Sequence, residues 1–211
     1  MPVDLAVFAR APIAGRCKTR LIPLLGAEGA AALQHALIRR TLQTAIAANL
    51  GTVSLWCASD RQHPAFIACS QQFGVKLVSQ CGADLGGRMF HAFTRLCRQR
   101  AAMVIGTDCP ALTATELRTA ARALLLEGND AVFVPAEDGG YVLVGLRQAV
   151  ASLFDDIPWG TERVMDLTRE RLRRAGLRWQ ELPPLWDVDR ADDFDRLCAS
   201  GLMAETNSEM N

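Results

Sequence analysis

Four cations fall within eleven positions of the segment Arg10-Ala-Pro-Ile-Ala-Gly-Arg-Cys-Lys-Thr-Arg-Leu21: Arg10, Arg16, Lys18 and Arg20. Charge at that density, with Gly15 to let the backbone turn tightly, suits the phosphate oxygens of a nucleotide, because guanidinium and ammonium groups give charge-assisted hydrogen bonds to them. The alternative is a solvated basic loop. The segment is neither a Walker loop, since no Gly-Lys-Thr occurs, nor a G-x-G-x-x-G turn. Of the 23 basic residues only Lys18 and Lys76 are lysines, which singles out a lysine placed in such a loop.

Carboxylates recur at three later places. Gly106-Thr-Asp-Cys-Pro110 ends an apolar run with Asp108, which can hold a divalent cation bridging phosphate oxygens or simply close an Asx-type turn. In Glu137-Asp-Gly-Gly-Tyr141 the two glycines permit close ligand approach and Asp138 and Tyr141 offer polar groups; Asp-Gly is equally a hairpin turn. Trp186-Asp-Val-Asp-Arg-Ala-Asp-Asp-Phe194 brings Asp187 and Asp189 to one side if extended, or uses Asp189 to cap a helix. Weaker features are Gln80-Cys-Gly-Ala-Asp-Leu-Gly-Gly-Arg-Met89, where Arg88 and glycines at a helix start suit an anion, and Ile157-Pro-Trp-Gly-Thr161, where Trp159 is an aromatic wall or a packing residue. His35, His63 and His91 have no ligand spacing.

Elements of a recognisable order must position these loops. Strand-length apolar runs at Leu5–Phe8, Val53–Cys57, Val75–Val78, Ala102–Ile105, Ala131–Val134 and Tyr141–Gly145 alternate with helical patterns. Those patterns lie around Ile38–Ile46, Pro64–Gln72, Asp84 to about Arg100, the stripe behind the capping box Thr113-Ala-Thr-Glu116, Glu162–Ala175 and Ala191–Leu197. The alternation predicts an α/β fold with a mainly parallel sheet covered on both faces, in which ligands sit beyond the carboxyl ends of the strands. With 211 residues and no linker or repeat, we expect one domain over residues 1–200 and a frayed tail over 201–211.

Composition bounds the function. Twenty-three Lys+Arg against 23 Asp+Glu leave no basic excess, so a dedicated nucleic-acid surface is not expected. Seven cysteines without C-x-x-C spacing read as reduced, buried thiols of a cytoplasmic protein. Asp4 and Arg10 interrupt any signal-like apolar run, and the longest uncharged stretch, Thr41 to Ser59, is too polar for a membrane span.

The segments Phe8-Ala-Arg-Ala-Pro-Ile-Ala-Gly-Arg-Cys-Lys-Thr-Arg-Leu21, Asp84-Leu-Gly-Gly-Arg-Met89, Gly106-Thr-Asp-Cys-Pro110, Asp138-Gly-Gly-Tyr141, Pro158-Trp-Gly-Thr161 and Trp186-Asp-Val-Asp189, in that order, resemble the DUF2064 family. That family, also called rSAM/selenodomain-associated transferase 1, falls in the GT-A nucleotide-diphospho-sugar transferase superfamily. A more distant likeness is to 2-phospholactate guanylyltransferase-like nucleotidyltransferases, whose first loop also has a Lys-Ser/Thr-Arg-Leu element. The resemblance implies a GT-A three-layer sandwich and a metal-dependent transferase using an NTP or a nucleotide sugar, with Mg²⁺ or Mn²⁺ and a small-molecule acceptor. It implies nucleotide and phosphate contacts from Arg10, Pro12, Gly15, Arg16, Lys18, Thr19, Arg20 and Arg88, with Lys18 and Asp108 catalytic. The metal would be held by Asp108 and Asp189, joined by Asp187, and the acceptor would meet Asp138, Gly139, Gly140, Tyr141, Trp159 and Thr161. Two departures are Arg10 where the family usually has lysine, and one carboxylate in Asp108-Cys-Pro where glycosyltransferases of this superfamily have Asp-x-Asp. The single Asp resembles a nucleotidyltransferase. A GT-A-like binding domain without catalysis is the alternative from another class.

Overall fold

The computed structural model describes residues 2–126 and 128–203. Seven strands form one sheet: β1 (Asp4–Arg10), β2 (Val53–Ala58), β3 (Lys76–Ser79), β4 (Ala102–Ile105), β5 (Ala131–Pro135), β6 (Tyr141–Leu146) and β7 (Trp179–Glu181), in the order β3-β2-β1-β4-β6-β5-β7. Neighbours run parallel except β6, which is antiparallel to both β4 and β5. The helices are α1 (Ile22–Ala48), α2 (Pro64–Phe73), α3 (Leu85–Leu96), α4 (Ala114–Leu126), α5 (Val164–Arg174) and α6 (Ala191–Ser200).

Period-2 alternation divides the strands between two cores. Leu5, Val7 and Ala9 join Leu55, Met103, Ile105 and Val132 beneath Ile38 and Leu42 of α1, Phe66 of α2 and Leu117 and Leu124 of α4. Ala6 and Phe8 join Trp56, Val104, Phe133 and Val144 beneath Met89 and Phe93 of α3 and Met165 and Leu172 of α5. This is the expected three-layer arrangement. A third cluster lies outside it: Leu21, Leu33 and Leu37 receive Trp186, Val188 and Leu197. Each large apolar side chain buried there contributes about 1.5–3 kcal/mol, enough to fix the extended 186–189 segment against α1.

Three elements bear on the sequence reading: two depart from it, and the Asp-Gly-Gly hairpin follows it. First, α1 starts at Ile22 rather than near Ile38, with Gly26 at φ 71° breaking its first turn. Its alanine-rich middle propagates helix well but shows little apolar contrast, so periodicity does not mark it. By length and composition Thr19–Ala48 could cross a membrane. Its Leu33, Leu37, Ile38, Leu42 and Ala45 are instead buried in packed clusters, as a core helix requires. Second, Asp-Gly-Gly makes a reversal, Ala136 to Gly140, that turns β6 antiparallel within an otherwise parallel sheet. Third, β7 has no apolar run to announce it. The expected frayed tail lies outside the described residues from 204 onward; Gly201 ends α6 in a left-handed conformation at φ 67°.

The short edge strand β7 is held by charge. Arg169 of α5 donates to both carboxylate oxygens of Glu181, at 2.9 and 2.7 Å, and the Trp179 indole adds a third hydrogen bond at 3.0 Å. Hydrogen bonding from Arg169 holds the Glu181 carboxyl below its ordinary range. A depressed carboxylate stabilises the fold at neutral pH and loses that contribution as pH falls through its folded-state value. We therefore expect Glu181→Gln to lower stability by about 1 kcal/mol at pH 7, solvent screening included. The difference from wild type should shrink in denaturant titrations run below the usual carboxylate range; a difference independent of pH would mean the ion pair contributes nothing.

Candidate functional site

At the carboxyl ends of β1, β2 and β4 lies a cavity of about 610 Å³. The chain leaves β1 through turns at Ile13–Arg16, with Gly15 at φ 77°, and reaches Lys18 in the left-handed region at φ 45°, ψ 41°. A non-glycine residue held there costs of order 1 kcal/mol and persists only where the surroundings fix it. Lys18 is so fixed: Nζ donates to the Val188 carbonyl at 2.6 Å and forms an ion pair with Asp108, leaving the side chain only 4% exposed. Asp108 arrives from the loop after β4, and its carbonyl accepts the Val188 N–H at 2.8 Å. Beneath it, Gln34 of α1 donates to the buried Thr107 hydroxyl at 3.3 Å. Arg20, at the 3-10 turn Thr19–Leu21, forms an ion pair with Asp189.

Asp189 is not the helix cap that its position allows. Arg190 is the N-cap of α6, and Asp193 in the first turn accepts the N–H groups of Asp189 and Arg190 at 3.0 and 2.7 Å, while the Asp189 carboxylate pairs with Arg20. In the β5–β6 reversal, Asp138 Oδ1 accepts the Gly140 N–H at 2.9 Å, so the hairpin reading is correct and the same turn lines the cavity. Gly139, at φ 90°, is required by close approach: a Cβ there would stand 2.2 Å from the Glu162 carbonyl oxygen. Its own carbonyl accepts the Met165 N–H at 2.9 Å, tying the turn to the start of α5. Trp159 lies over Gly86 of α3, where a Cβ would come within 2.9 Å of the indole nitrogen, and its ring meets Tyr141 edge-on at 6.3 Å. Burial raises the Tyr141 phenol, so it stays neutral.

Of the residues expected from sequence, Arg10, Lys18, Thr19, Arg20, Arg88, Asp108, Asp138, Gly140, Tyr141, Trp159, Thr161, Asp187 and Asp189 line this cavity. Pro12, Gly15, Arg16 and Gly139 lie outside its wall; Gly15 and Gly139 shape the loops that reach it. Sequence reasoning missed Gln34, Gln80 and Thr107. Gln34, on the face of α1 shared with the buried Ala31, Leu37 and Ile38, is the signal for the first, since a buried amide needs a polar partner. Gln80 directly follows β3, as a carboxyl-end residue should, and donates to the Trp56 carbonyl at 2.8 Å. Cys17 and Cys109 also line the cavity, but burial pushes the Cys109 thiol up to about 12 and raises Cys17 as well, so neither is a thiolate nucleophile.

A second hollow, of about 590 Å³, adjoins the first and shares Arg20, Asp138, Gly160, Thr161, Asp187 and Asp189 with it. Asp187 has its carboxyl pushed up to about 6, by burial first and then by the negative charges of Asp138 and Asp108, against the lowering effect of Lys18. The charges of Asp138 and Asp108 are thus felt at Asp187. Among the described residues no group of three or more His, Cys, Asp or Glu side chains encloses a metal-sized point. Mg²⁺ does not require one, because it is held by one or two carboxylates with phosphate oxygens and water completing the shell. The all-oxygen donors Asp108 and Asp187 fit that ion.

The family described as "Uncharacterized protein conserved in bacteria (DUF2064)" matches residues 41–161, more than half of the sequence. The chain belongs to the DUF2064 family. No curated protein matches it. A solved structure from Desulfovibrio desulfuricans G20, provisionally named a nucleotide-diphospho-sugar transferase, is 30% identical with a TM-score of 0.81, over 90% of this chain and 84% of that one. Two more distant structures share the fold. A cytidylyltransferase from Leptospira borgpetersenii has 15% identity and a TM-score of 0.62, covering 93% of this chain and 85% of that one. Glucosyl-3-phosphoglycerate synthase from Mycobacterium tuberculosis, solved with Mn²⁺, UDP and glucosyl-3-phosphoglycerate, has 12% identity and a TM-score of 0.56, covering 96% and 76%. The fold of this DUF2064 chain is that of the nucleotide-diphospho-sugar transferases. The matched stretch contains Asp108, Asp138 and Trp159 but neither Lys18 nor Asp189, which reach the same cavity from outside it.

The raised Asp187 carboxyl has a signed consequence. Its protonated form is favoured in the folded state, so ionisation costs stability as pH rises from 3.8 towards and beyond about 6. In EDTA, Asp187→Asn should stabilise the protein at pH 8 by at most about 3 kcal/mol, with the gain gone by about pH 4. Paired thermal melts at the two pH values check this; a variant less stable than wild type at pH 8 refutes the crowding of carboxylates.

Proposed function

We propose that this protein is a metal-dependent transferase that moves the sugar of a nucleotide diphospho-sugar onto an uncharged or cationic acceptor bearing a hydroxyl or amine. One observation carries the reading: the two adjoining hollows differ in charge, the first balanced and the second acidic. The first sets Arg10, Lys18, Arg20 and Arg88 against Asp108, Asp138, Asp187 and Asp189, a balance that a bound divalent cation tips towards a diphosphate. The second presents Glu137, Asp138, Glu162, Asp187, Asp189 and Asp193 against Arg20 and Arg190. A diphosphate suits the first and an anionic acceptor is repelled by the second. The DUF2064 membership and the likeness to the Desulfovibrio structure support the same class.

In this reading Lys18 and Arg20 take the diphosphate oxygens, and Asp108 with Asp187 or Asp189 would hold Mg²⁺ or Mn²⁺. The bound ion supplies charge for the departing diphosphate. Asp138 lines both hollows with its carboxylate oriented by the Gly140 N–H, so it accepts the acceptor proton as the sugar's anomeric carbon exchanges its diphosphate oxygen for the acceptor atom. Tyr141 and Trp159 form the aromatic wall, and Thr161 adds a hydroxyl on the acceptor side. Nucleotidyl transfer is the second reading, favoured by the single carboxylate of Gly106-Thr-Asp-Cys-Pro110; it needs a phosphorylated acceptor among the carboxylates of the second hollow. Both readings place nucleotide, metal and acceptor in one site, and the seven free thiols suit a reducing cytoplasm.

A panel of nucleoside diphosphates should raise the melting temperature with Mn²⁺ and much less in EDTA; a panel with no effect overturns the proposal. Asp138→Asn should keep nucleotide affinity within about twofold and lower turnover about 10²–10⁴-fold. If it lowers nucleotide affinity instead, Asp138 belongs to the donor side. Lys18→Ala should weaken nucleoside diphosphate binding more than nucleoside binding, and equal losses count against a phosphate contact.

A further inference from the structure

The two cations best placed for phosphate are already engaged, and their partners are carboxylates assigned to the metal. Lys18 pairs with Asp108 and Arg20 pairs with Asp189. Lys18 is almost wholly enclosed and is further held by the Val188 carbonyl at 2.6 Å, so its pairing is an organised part of the structure. The Arg20–Asp189 pair is exposed, at 59% and 42%, and is the more easily parted of the two.

Resting on the proposed function, we infer that these pairs are internal counterions that couple metal and diphosphate binding, so that either ligand alone binds against its own competitor. A divalent cation approaching Asp108 meets the Lys18 ammonium on that carboxylate. A diphosphate approaching Lys18 meets the Asp108 carboxylate. When both arrive, the cation takes the carboxylates, the diphosphate takes the ammonium and guanidinium, and no charge is left unpaired. Coupling of this kind is reciprocal: each ligand raises the affinity of the other by the same factor, typically between about 5- and 150-fold. The ion pairs also keep the metal-free site near neutral, which explains how a cavity rich in both signs of charge stays assembled before ligand enters.

The signature is an inversion of sign that a plain phosphate-binding lysine does not give. Mn²⁺ affinity is measured by electron paramagnetic resonance without nucleotide, and inorganic pyrophosphate affinity by calorimetry in EDTA. Lys18→Gln should bind Mn²⁺ about 5–10-fold more tightly than wild type while binding pyrophosphate more weakly. Asp108→Asn should bind metal-free pyrophosphate more tightly by a similar factor while losing Mn²⁺. Arg20→Gln, at an exposed position that leaves folding intact, repeats the Mn²⁺ test through Asp189. A rise in Mn²⁺ affinity in either cation variant supports the coupling. If neither rises while wild type binds Mn²⁺ in the presence of a nucleotide, the coupling alone falls. If wild type and variants bind neither Mn²⁺ nor pyrophosphate under any condition, the coupling and the proposed function fall together.

Discussion

The charged half of the candidate site depends on where the backbone of Val188 lies. Its N–H meets the Asp108 carbonyl, its carbonyl receives the Lys18 ammonium, and its side chain is fully buried in the cluster formed with Leu21, Leu33, Leu37, Trp186 and Leu197. One residue therefore links the loop after β1, the loop after β4 and the segment before α6. Its neighbours Asp187 and Asp189 reach the cavity because Val188, between them, points into the core, as alternation along an extended chain requires. The packing energy of a small satellite core thus fixes carboxylates that have little reason of their own to converge.

The reversal of β6 is the second constraint. In a fully parallel sheet the residues after β5 would leave the carboxyl edge through a crossover, and the next strand would return from the opposite edge. Turning at Ala136–Gly140 keeps Asp138 at the same edge as Lys18 and Asp108, and brings Tyr141 back down beside them. Gly139 is the residue that makes this compatible with α5, since any side chain would collide with the Glu162 backbone. Hairpin and ligand turn are not competing readings of Asp-Gly-Gly here.

The division between what could and could not be read from sequence follows from range. Six strands and the stripes of the helices rest on local periodicity, and a carboxylate just beyond an apolar strand, as Asp108 and Asp138 are, is placed by that strand; Lys18, further along the loop after β1, is marked instead by the density of cations around it. The pairing of Asp189 with Arg20 joins residues 169 apart in the chain, which no periodicity encodes. Gln34 stayed hidden because it sits in an alanine-rich helix whose start is itself unmarked. Strand β7 stayed hidden because it is three residues long with Trp179 its one apolar residue, and it is joined to α5 by the Arg169–Glu181 pair as well as by the packing of that ring.

A zero net charge conceals how unevenly the charge is spread. Cations gather on the first loop and at Arg88, carboxylates on the three later loops, and the two groups face one another across a cavity rather than across solvent. Such an arrangement is not the most stable one available. Asp187 is held with its carboxyl near 6 among like charges, and Lys18 is held in a left-handed conformation and almost completely desolvated. A sheet with cores on both faces has ample apolar burial to offset these local costs, which are of the order of a few kcal/mol. Ion pairs that merely stabilised a fold would need neither the strain nor the crowding, because surface pairs are formed without either and contribute little. Strain, desolvation and like charge meeting at one carboxyl edge are what a site built around ligand charge requires.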